Sequence, residues 1–279
     1  MTDDQTSLSK KINMTQALTH VLDHLKTPLS TNLSVARLPG GLCNRLYRLT
    51  SSEGSFALRC NLTGSERLGV NRDQEQRVLA AIAGQVWSPE VLECEADWLL
   101  SRWVEGPPPS HGELTDLTQL VGLMQSVHAI QPEVSVLNMA RRLEELVAAG
   151  PAWPEPAASG LALLLRQYEL PGRLCLCHND WHPGNLLVTT DGWVLLDWEY
   201  AALGDPAMDV AAACQGFRLP EAQLTALAEA LSIDLPRLHQ ARAMMEAIAL
   251  AWYRLLPDQT GANEDSPDAW WLRWQSNLG

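Results

Sequence analysis

The stretch CHNDWHPGNLLVTTDGWVLLDWEYAALGDPAMD, residues 177–209, decides the fold of this chain because it sets three polar side chains among short apolar segments. Asp180 and Asn185 form a D-x-x-x-x-N run, and Asp197 ends a later apolar segment. The apolar residues 174–177 before the run, the apolar residues after it and the Asp-Gly pair further on are typical of strands joined by a hairpin. The stretch therefore predicts a strand, a polar loop, a hairpin and, after the hairpin, the carboxylate of Asp197, in that order.

The spacing of these three side chains suits the transfer of a γ-phosphoryl group. Such a transfer needs one carboxylate that orients and deprotonates the acceptor hydroxyl, and oxygen ligands that hold Mg²⁺ against the phosphates. Asp180 and Asn185 are the predicted catalytic pair, with Asp180 as the base. Asn185 and Asp197 are the predicted metal ligands. The cofactors that this chemistry implies are ATP and Mg²⁺.

The same stretch resembles the aminoglycoside phosphotransferase and choline kinase family, small-molecule relatives of protein kinases. The phrase LLDWEYA at residues 195–201, followed by GDP at 204–206 and by Asp209, is most similar to the bacterial choline and thiamine kinases. The resemblance covers roughly residues 33–256 and implies the same roles for the three polar side chains. It also implies an α+β, protein-kinase-like bilobal fold, with an antiparallel sheet and a helix in the N-lobe and a mostly helical C-lobe.

A glycine pair in the N-terminal third resembles the family's turn between the first two strands. In the run LPGGLCNRLY, Gly40 and Gly41 would let the backbone approach a nucleotide, and Asn44 follows them. Two glycines before a strand also fit a plain hairpin. In the alternating segment SFALRC, residues 55–60, Arg59 points away from the apolar face. The resemblance implies that Arg59 grips the ATP phosphates.

Arg59 needs an acidic partner, and Glu75 is the candidate. The run NRDQE, residues 71–75, resembles the family's N-R-x-x-E at the start of the first helix of the lobe. Asn71 and Gln74 are spaced as a helix N-terminal capping pair. An ordinary exposed charge pair is the alternative for Arg59 and Glu75.

A stiff connector, EGPPP at residues 105–109, divides the chain. We predict a nucleotide-binding N-lobe over residues 1–104 and, over residues 105–279, a helical C-lobe with the catalytic loop and the acceptor pocket. The apolar segment 97–104 is predicted to be an edge strand.

The residues just before this connector are predicted to form a kinase-like hinge. The backbone from Ser101 to Val104 is expected to pair with adenine. Trp103 is expected either at the rim of the adenine site or in the packing between the lobes.

Composition and charge limit the partners of the chain. With 279 residues it can bury the core of one bilobal unit. Its net charge of −13 comes without a basic stripe, which argues against nucleic acid. No apolar stretch reaches the roughly 18 residues of a membrane span, and the polar start lacks a signal-peptide core. We expect a cytoplasmic protein that binds a nucleotide and a small-molecule acceptor, with its oligomeric state open.

The six cysteines are scattered and are expected to be reduced core residues. Cys175 and Cys177, with His178 and His182 nearby, also suggest a zinc cluster, but no second cysteine pair lies near and strand alternation turns both thiols toward a core. For His182, the alternatives are a place in the substrate pocket and a cap on a loop backbone group. His128, near the end of a predicted helix, is expected to brace the catalytic loop.

The chain contains eleven tryptophans but only two phenylalanines, and several of the tryptophans lie in the predicted C-terminal helices. In choline-kinase-like proteins this region forms the acceptor pocket, and aromatic walls hold quaternary ammonium or thiazolium groups by cation–π attraction. Helix packing is the alternative for each tryptophan. The residues predicted to contact the substrate are His182, Glu199, Tyr200, Trp252, Trp271 and Trp274.

These observations predict an ATP- and Mg²⁺-dependent kinase that phosphorylates the primary hydroxyl of a small cationic alcohol, choline, ethanolamine or thiamine. An aminoglycoside or sugar kinase is the alternative; those relatives more often read D-x-G after the metal aspartate, and Glu199 departs from that pattern. A catalytically inactive nucleotide-binding relative is a third possibility, against which the intact Asp180, Asn185 and Asp197 count.

Overall fold

The computed structural model describes residues 18–27, 29, 32–39, 44–110, 114, 117–255 and 266–275. Gly40 and Gly41 lie outside the described residues, as does Cys43, so the predicted glycine turn stays a prediction.

The N-terminal part of the fold is a five-stranded antiparallel sheet. Its strands follow the spatial order β1-β2-β3-β5-β4. Their bounds are β1 (Ser34–Arg37), β2 (Asn44–Ser51), β3 (Gly54–Asn61), β4 (Val91–Cys94) and β5 (Trp98–Arg102). Alternation along β3 places Phe56 and Leu58 in a small core, onto which helix α1 (residues 18–24) packs Val21. The opposite face of β3 carries Arg59, as predicted.

The prediction of an edge strand over residues 97–104 is wrong. Strand β5 is paired with β3 on one side and with β4 on the other. The edge of the sheet beside β5 is β4, which has only four residues and contains a buried Glu93. Such a short strand, with a charged residue inside, leaves no alternating apolar pattern to detect.

Helix α2 (Arg72–Ala81) begins at the predicted capping pair. The Asn71 side chain accepts a hydrogen bond from the Gln74 backbone N–H at 3.0 Å. This bond satisfies one of the backbone donors that a helix start leaves free. The cap fixes where the helix begins, and therefore where Glu75 lies relative to β3.

The connector after β5 has no regular secondary structure over residues 103–110. It runs against the hairpin of the larger lobe, where Pro107 O accepts a hydrogen bond from Val188 N at 2.8 Å. A side chain at Gly106 would collide with the Val188 carbonyl, so this close approach requires glycine. The lobe boundary at residues 104 and 105 stays a prediction.

The larger part of the fold is mainly helical and holds two small antiparallel sheets. Its helices are α3 (Thr118–His128), α4 (Met139–Ala149), α5 (Ala157–Gln167), α6 (Pro206–Phe217), α7 (Glu221–Ala230), α8 (Leu235–Arg254) and α9 (Pro267–Gln275). One sheet pairs β6 (Cys175–Cys177) with β9 (Ala202–Gly204), and the other pairs β7 (Leu186–Thr189) with β8 (Gly192–Leu195). Helix α6 is buried on nearly every side and packs against α8 at the centre of this lobe.

The cysteines of the described residues and the length of their helices bear on two expectations from the sequence. Cys60, Cys94, Cys175, Cys177 and Cys214 all carry free thiols, and all but Cys94 are buried. Among the helices of the described ranges, none is long and apolar enough to cross a bilayer.

Candidate active site

The catalytic loop, residues 178–185, connects β6 to β7 and brings Asp180 and Asn185 together. The Asn185 amide nitrogen donates to the Asp180 carboxylate at 2.8 Å and to its backbone carbonyl at 2.9 Å. A single turn of 3₁₀ helix, Pro183–Asn185, closes the loop. The five-residue spacing of the two side chains is therefore realised as a direct contact.

His182 caps a loop backbone group, one of the two roles considered from the sequence, and it also lies beside Asp180; its contact with a substrate stays a prediction. Its Nδ1 accepts a hydrogen bond from Gly184 N at 3.0 Å and caps the 3₁₀ turn. Its Nε2 lies 3.6 Å from the Asp180 carboxylate. Burial alone would favour the neutral acid, but the contact with His182 and the hydrogen bond from Asn185 hold the pKa of Asp180 below its usual value. Asp180 is therefore ionised at neutral pH.

A buried carboxylate behind the loop fixes its backbone. Asp209 accepts hydrogen bonds from the backbone N–H groups of Asn179 at 2.7 Å and of His178 at 3.1 Å. The same carboxylate contacts His128 Nε2 at 3.0 Å. Asn179 adopts φ of 66°, a conformation that a non-glycine residue holds only when its surroundings enforce it. His128 thus braces the loop through Asp209, as the sequence predicted.

Asp197 lies two residues beyond β8 and faces the loop. Its φ is 59°, also in the left-handed region. The next residue, Trp198, is fully buried, donates from Nε1 to Leu195 O at 3.0 Å and packs edge-on against His178. This packing holds the turn that aims Asp197 back toward the N-terminal sheet.

A chain of alternating charges crosses from the C-lobe to the N-lobe and back, and we call it the charge ladder: Asp197, Arg59, Glu75, Arg72 and Glu199. Arg59 contacts Asp197 at 3.0 Å and Glu75 at 2.6 Å. Glu75 also contacts Arg72 at 2.8 Å, and Arg72 reaches Glu199 at 3.0 Å. The predicted pairing of Arg59 with Glu75 is thus present, and it is buried rather than exposed.

The two ends of the ladder, which both lie in the C-lobe, carry carboxyl groups whose negative charge the arginines only partly offset. Burial, with the nearby Asp197, raises the pKa of Glu199 to about 7 despite Arg59 and Arg72. Burial also raises the pKa of Asp197, and Arg59 offsets this only in part. In the middle of the ladder, which lies in the N-lobe, the burial of Glu75 is outweighed by Arg59 and Arg72, so the pKa of Glu75 is lowered. Negative charge is therefore in excess where Asp180, Asp197 and Glu199 meet.

A cavity of about 480 Å³ opens beside these carboxylates, between the lobes. Eight of the predicted site residues line it, while Arg59 and Glu75 reach it through Asp197. The predicted residues on its lining are Asn44, Asp180, His182, Asn185, Asp197, Glu199, Tyr200 and Trp252.

The structure places two of the predicted substrate residues elsewhere. Trp274 is buried and stacks on Trp270, whose Nε1 donates to Ala243 O at 2.9 Å. Trp271 packs directly against Gly160 of α5. Neither Trp271 nor Trp274 belongs to the cavity lining. Both serve helix packing, because α9 buries its indoles against α5 and α8.

The hinge prediction also needs revision. Ser101 lies inside β5, flanked by paired strands on both sides, so its backbone belongs to the sheet. The Trp103 N–H donates to Ser55 O at 3.0 Å, and its ring lies under the Arg48 guanidinium at 4.5 Å. Within the predicted hinge, backbone free to meet an adenine therefore begins after Trp103, because Ser101 and Arg102 belong to β5 and the Trp103 N–H still bonds to β3.

Several residues in or beside the site were missed from the sequence. Arg72 stands in the N-R-x-x-E run, and its i, i+3 spacing to Glu75 was the available signal. Arg142 of α4 lines the cavity, packs against Gly69 of the N-lobe and makes no ion pair within the described ranges. Tyr253 forms an edge-to-face pair with Trp252 at 5.2 Å. Their meeting depends on how α4 and α8 dock, which no local pattern reports.

Comparisons with known proteins agree with this architecture. Over 125 residues the chain is 33% identical to thiamine kinase of Escherichia coli strain SMS-3-5, spanning 42% of this chain and 43% of that relative. Over 187 residues it is 27% identical to protein LicA of Haemophilus influenzae, spanning 62% of this chain and 55% of that protein. The chain thus spans about half the length of these curated relatives.

A solved structure extends the likeness to nearly the whole chain. The fold matches choline kinase LicA from Streptococcus pneumoniae with a TM-score of 0.76 at 17% identity, over 95% of this chain and 99% of that one. The protein-kinase-like bilobal fold predicted from the sequence is confirmed. Residues 34–243 match the phosphotransferase enzyme family known as APH, and the chain belongs to that family.

Proposed function

We propose that this protein is an ATP- and Mg²⁺-dependent kinase that phosphorylates a hydroxyl group of a small molecule. One observation carries the proposal: Asp180, Asn185 and Asp197 lie around one cavity, and the charge ladder joins Asp197 to Arg59 of the N-lobe. A base, oxygen donors and a phosphate-gripping arginine are what phosphoryl transfer requires of a protein.

Asp180 is proposed as the base. Its carboxylate is ionised, and Asn185 and His182 orient it from two sides. An acceptor hydroxyl within hydrogen-bond reach of Asp180 would pass its proton to the free carboxylate oxygen as the new P–O bond forms. The residues behind the loop, Asp209 and His128, position Asp180 without touching the acceptor.

Asn185 and Asp197 fit a hard divalent ion by the chemistry of their donors. Asn185 uses its amide nitrogen for Asp180, which leaves the amide oxygen as a ligand, and Asp197 adds a carboxylate. Magnesium would hold the phosphates in line with the acceptor and offset the negative charge gathered near Asp197. Arg59 would exchange its contact with Asp197 for the phosphates, while Glu75 keeps the guanidinium aimed.

A small cationic alcohol is the acceptor that the cavity favours. Trp252 and Tyr253 present aromatic surface to it, and Tyr200, Asp180 and Glu199 line the same cavity. Aromatic faces with negative charge nearby attract a compact cation, by about 0.5–2 kcal/mol for each well-placed ring. Choline, ethanolamine and thiamine carry such a group, and thiamine kinase and LicA are among the relatives.

Arg142 favours a second candidate, a sugar-type acceptor that carries an acidic group. Its half-buried guanidinium lines the cavity and makes no ion pair within the part of the chain that the structure describes. A carboxylate on the acceptor would give Arg142 a partner, whereas a cation beside it would be repelled.

The test is ADP release from ATP and Mg²⁺ with choline, ethanolamine, thiamine, kanamycin and N-acetylmuramic acid as acceptors. The first proposal expects turnover with choline or thiamine, and much less with 3,3-dimethylbutanol, the neutral isostere of choline. Turnover confined to N-acetylmuramic acid, and lost in Arg142→Gln, would establish the second candidate instead. Nucleotide binding without turnover on any acceptor would indicate an inactive relative.

A further inference from the structure

A second cavity, of about 440 Å³, lies away from the candidate active site. Cys175 of β6 and His128 at the end of α3 both line it. Cys177 lies two residues along the same strand, where strand alternation points its thiol to the same side as that of Cys175. The sulfur atoms of Cys175 and Cys177 are 3.7 Å apart.

These three side chains have the dimensions of a metal site. The two sulfurs and a ring nitrogen of His128 all lie within 4.8 Å of one another. Two thiolates on a tetrahedral zinc ion, with Zn–S bonds of about 2.3 Å, stand about 3.8 Å apart. The sulfur separation of 3.7 Å is therefore close to that of a pair of zinc ligands.

His128 has the carboxylate partner that zinc-binding histidines usually have. Its Nε2 contacts the buried carboxylate of Asp209 at 3.0 Å, which leaves the Nδ1 lone pair for another partner. A carboxylate on the far nitrogen fixes the tautomer and makes the imidazole a stronger ligand. The histidines that the sequence suggested are occupied, because His178 bonds to Leu196 O and Asp180 N, and His182 to Gly184 N and Asp180.

We propose that His128, Cys175 and Cys177 bind one zinc ion, with the fourth coordination position open to the second cavity. Binding releases the two thiol protons to solvent, because the metal ligand is the thiolate. Thiolate and imidazole select zinc and exclude magnesium, which prefers oxygen ligands. The site is thus chemically distinct from the oxygen donors Asn185 and Asp197, and it does not depend on the proposed kinase activity.

Zinc at this site would act on the catalytic loop through a single carboxylate. Asp209 contacts His128 and also accepts the backbone N–H groups of His178 and Asn179. An ion that fixes His128 would therefore also fix Asp209, and with it the backbone that carries Asp180.

The experiment titrates Co²⁺ into the metal-free full-length chain and follows the absorption spectrum. Tetrahedral thiolate ligation gives a sulfur-to-cobalt charge-transfer band in the near ultraviolet, which oxygen ligands do not give. We expect one equivalent of Co²⁺ to produce this band, Zn²⁺ to abolish it, and excess Mg²⁺ to leave it unchanged. The band should be lost in Cys175→Ala and in Cys177→Ala. The matched control is Cys214→Ala, a buried free thiol outside the site, and it should keep the band.

A second measurement needs no variant and covers the case in which a cysteine substitution prevents folding. Zn²⁺ should slow the alkylation of Cys175, which lines the second cavity, in the wild-type chain, as read by mass spectrometry, and leave the rate at Cys94 unchanged. A cobalt spectrum without a thiolate band would overturn the proposal, as would a band that survives both cysteine substitutions or alkylation of Cys175 unaffected by Zn²⁺.

Discussion

The charge ladder and the tryptophan cluster of α9 (Trp270, Trp271 and Trp274) both consist of residue types that often bind ligands, but only the ladder borders the cavity. Along the ladder, Glu75 Oε1 and two nitrogens of Arg72 have no hydrogen-bond partner in the described part of the chain. In the tryptophan cluster, the rings stack on one another and Trp270 Nε1 is satisfied by Ala243. Buried polar groups without a partner call for an explanation. We attribute those of the ladder to the ligand of the proposed site, whereas the satisfied tryptophan cluster is core packing.

The largest expected effect is at the loop that the ladder faces. Asp180→Asn removes the proton acceptor but keeps the shape of the side chain, so kcat should fall by about 10²–10⁴-fold. The affinity for ATP should change little. The matched control, Asp191→Asn, alters an exposed aspartate in the β7–β8 turn and should keep full activity. Near-normal turnover of Asp180→Asn on its acceptor would refute the assignment of the base.

A pair of tryptophan substitutions tests whether the acceptor binds beside Trp252 of the cavity or beside the tryptophan cluster of α9. Trp274→Ala should lower the free energy of unfolding by about 3–5 kcal/mol, because it empties a packed site, and should leave kcat/KM of the folded enzyme unchanged. Trp252→Leu should change the free energy of unfolding little. It should raise the KM of a cationic acceptor by about 2–30-fold, because one cation–π contact is lost. Urea denaturation and steady-state kinetics on both variants measure these effects. A fall in kcat/KM for Trp274→Ala would indicate that the tryptophan cluster contacts the acceptor.

In the proposed function, Arg59 binds the phosphates of the nucleotide. Arg59→Ala should raise the KM for ATP by about 10–100-fold, the loss of charge-assisted hydrogen bonds, and should leave the KM of the acceptor nearly unchanged. Because the substitution strands a buried carboxylate at Glu75, the double variant Arg59→Ala/Glu75→Gln serves as the control for folding. A double variant that is stable and binds ATP normally would assign the ladder a purely structural role.

The smallest expected effect is a pH dependence of stability at Glu199. In the unfolded chain this carboxyl ionises near its ordinary pKa of 4.5, whereas in the folded protein its pKa is about 7. The wild type should therefore lose stability relative to Glu199→Gln as the pH rises from 4.5 to 7, and the difference should stay constant above that range. Urea denaturation of both proteins across this range measures it. A wild type that gains stability over the same interval would show that the ion pair with Arg72 outweighs burial.

The sequence was sufficient wherever spacing along the chain dictates geometry. The five-residue interval from Asp180 to Asn185 becomes a contact because a single 3₁₀ turn closes it. The Asn71 cap fixes the start of α2, and with it the approach of Glu75 to Arg59.

The sequence was insufficient wherever tertiary docking decides. Arg142 reaches the cavity because α4 packs against the N-lobe turn at Gly69. Trp252 and Trp274 share a residue type and a neighbourhood in the sequence, yet α8 turns one toward the cavity while α9 buries the other. His128 meets Cys175 and Cys177 although 47 residues separate it from the nearer one.

The central claim is that the charge ladder and the catalytic loop form one phosphoryl-transfer site, and coupled product analysis tests it most directly. Wild type and Asp197→Ala are incubated with ATP, Mg²⁺ and the acceptor panel, and ADP and phosphorylated acceptor are counted by mass spectrometry. We predict one phosphorylated acceptor per ADP for the wild type, complete dependence on Mg²⁺, and neither product from Asp197→Ala. ADP without a phosphorylated acceptor, or equal turnover by the Asp197→Ala variant, would contradict the claim.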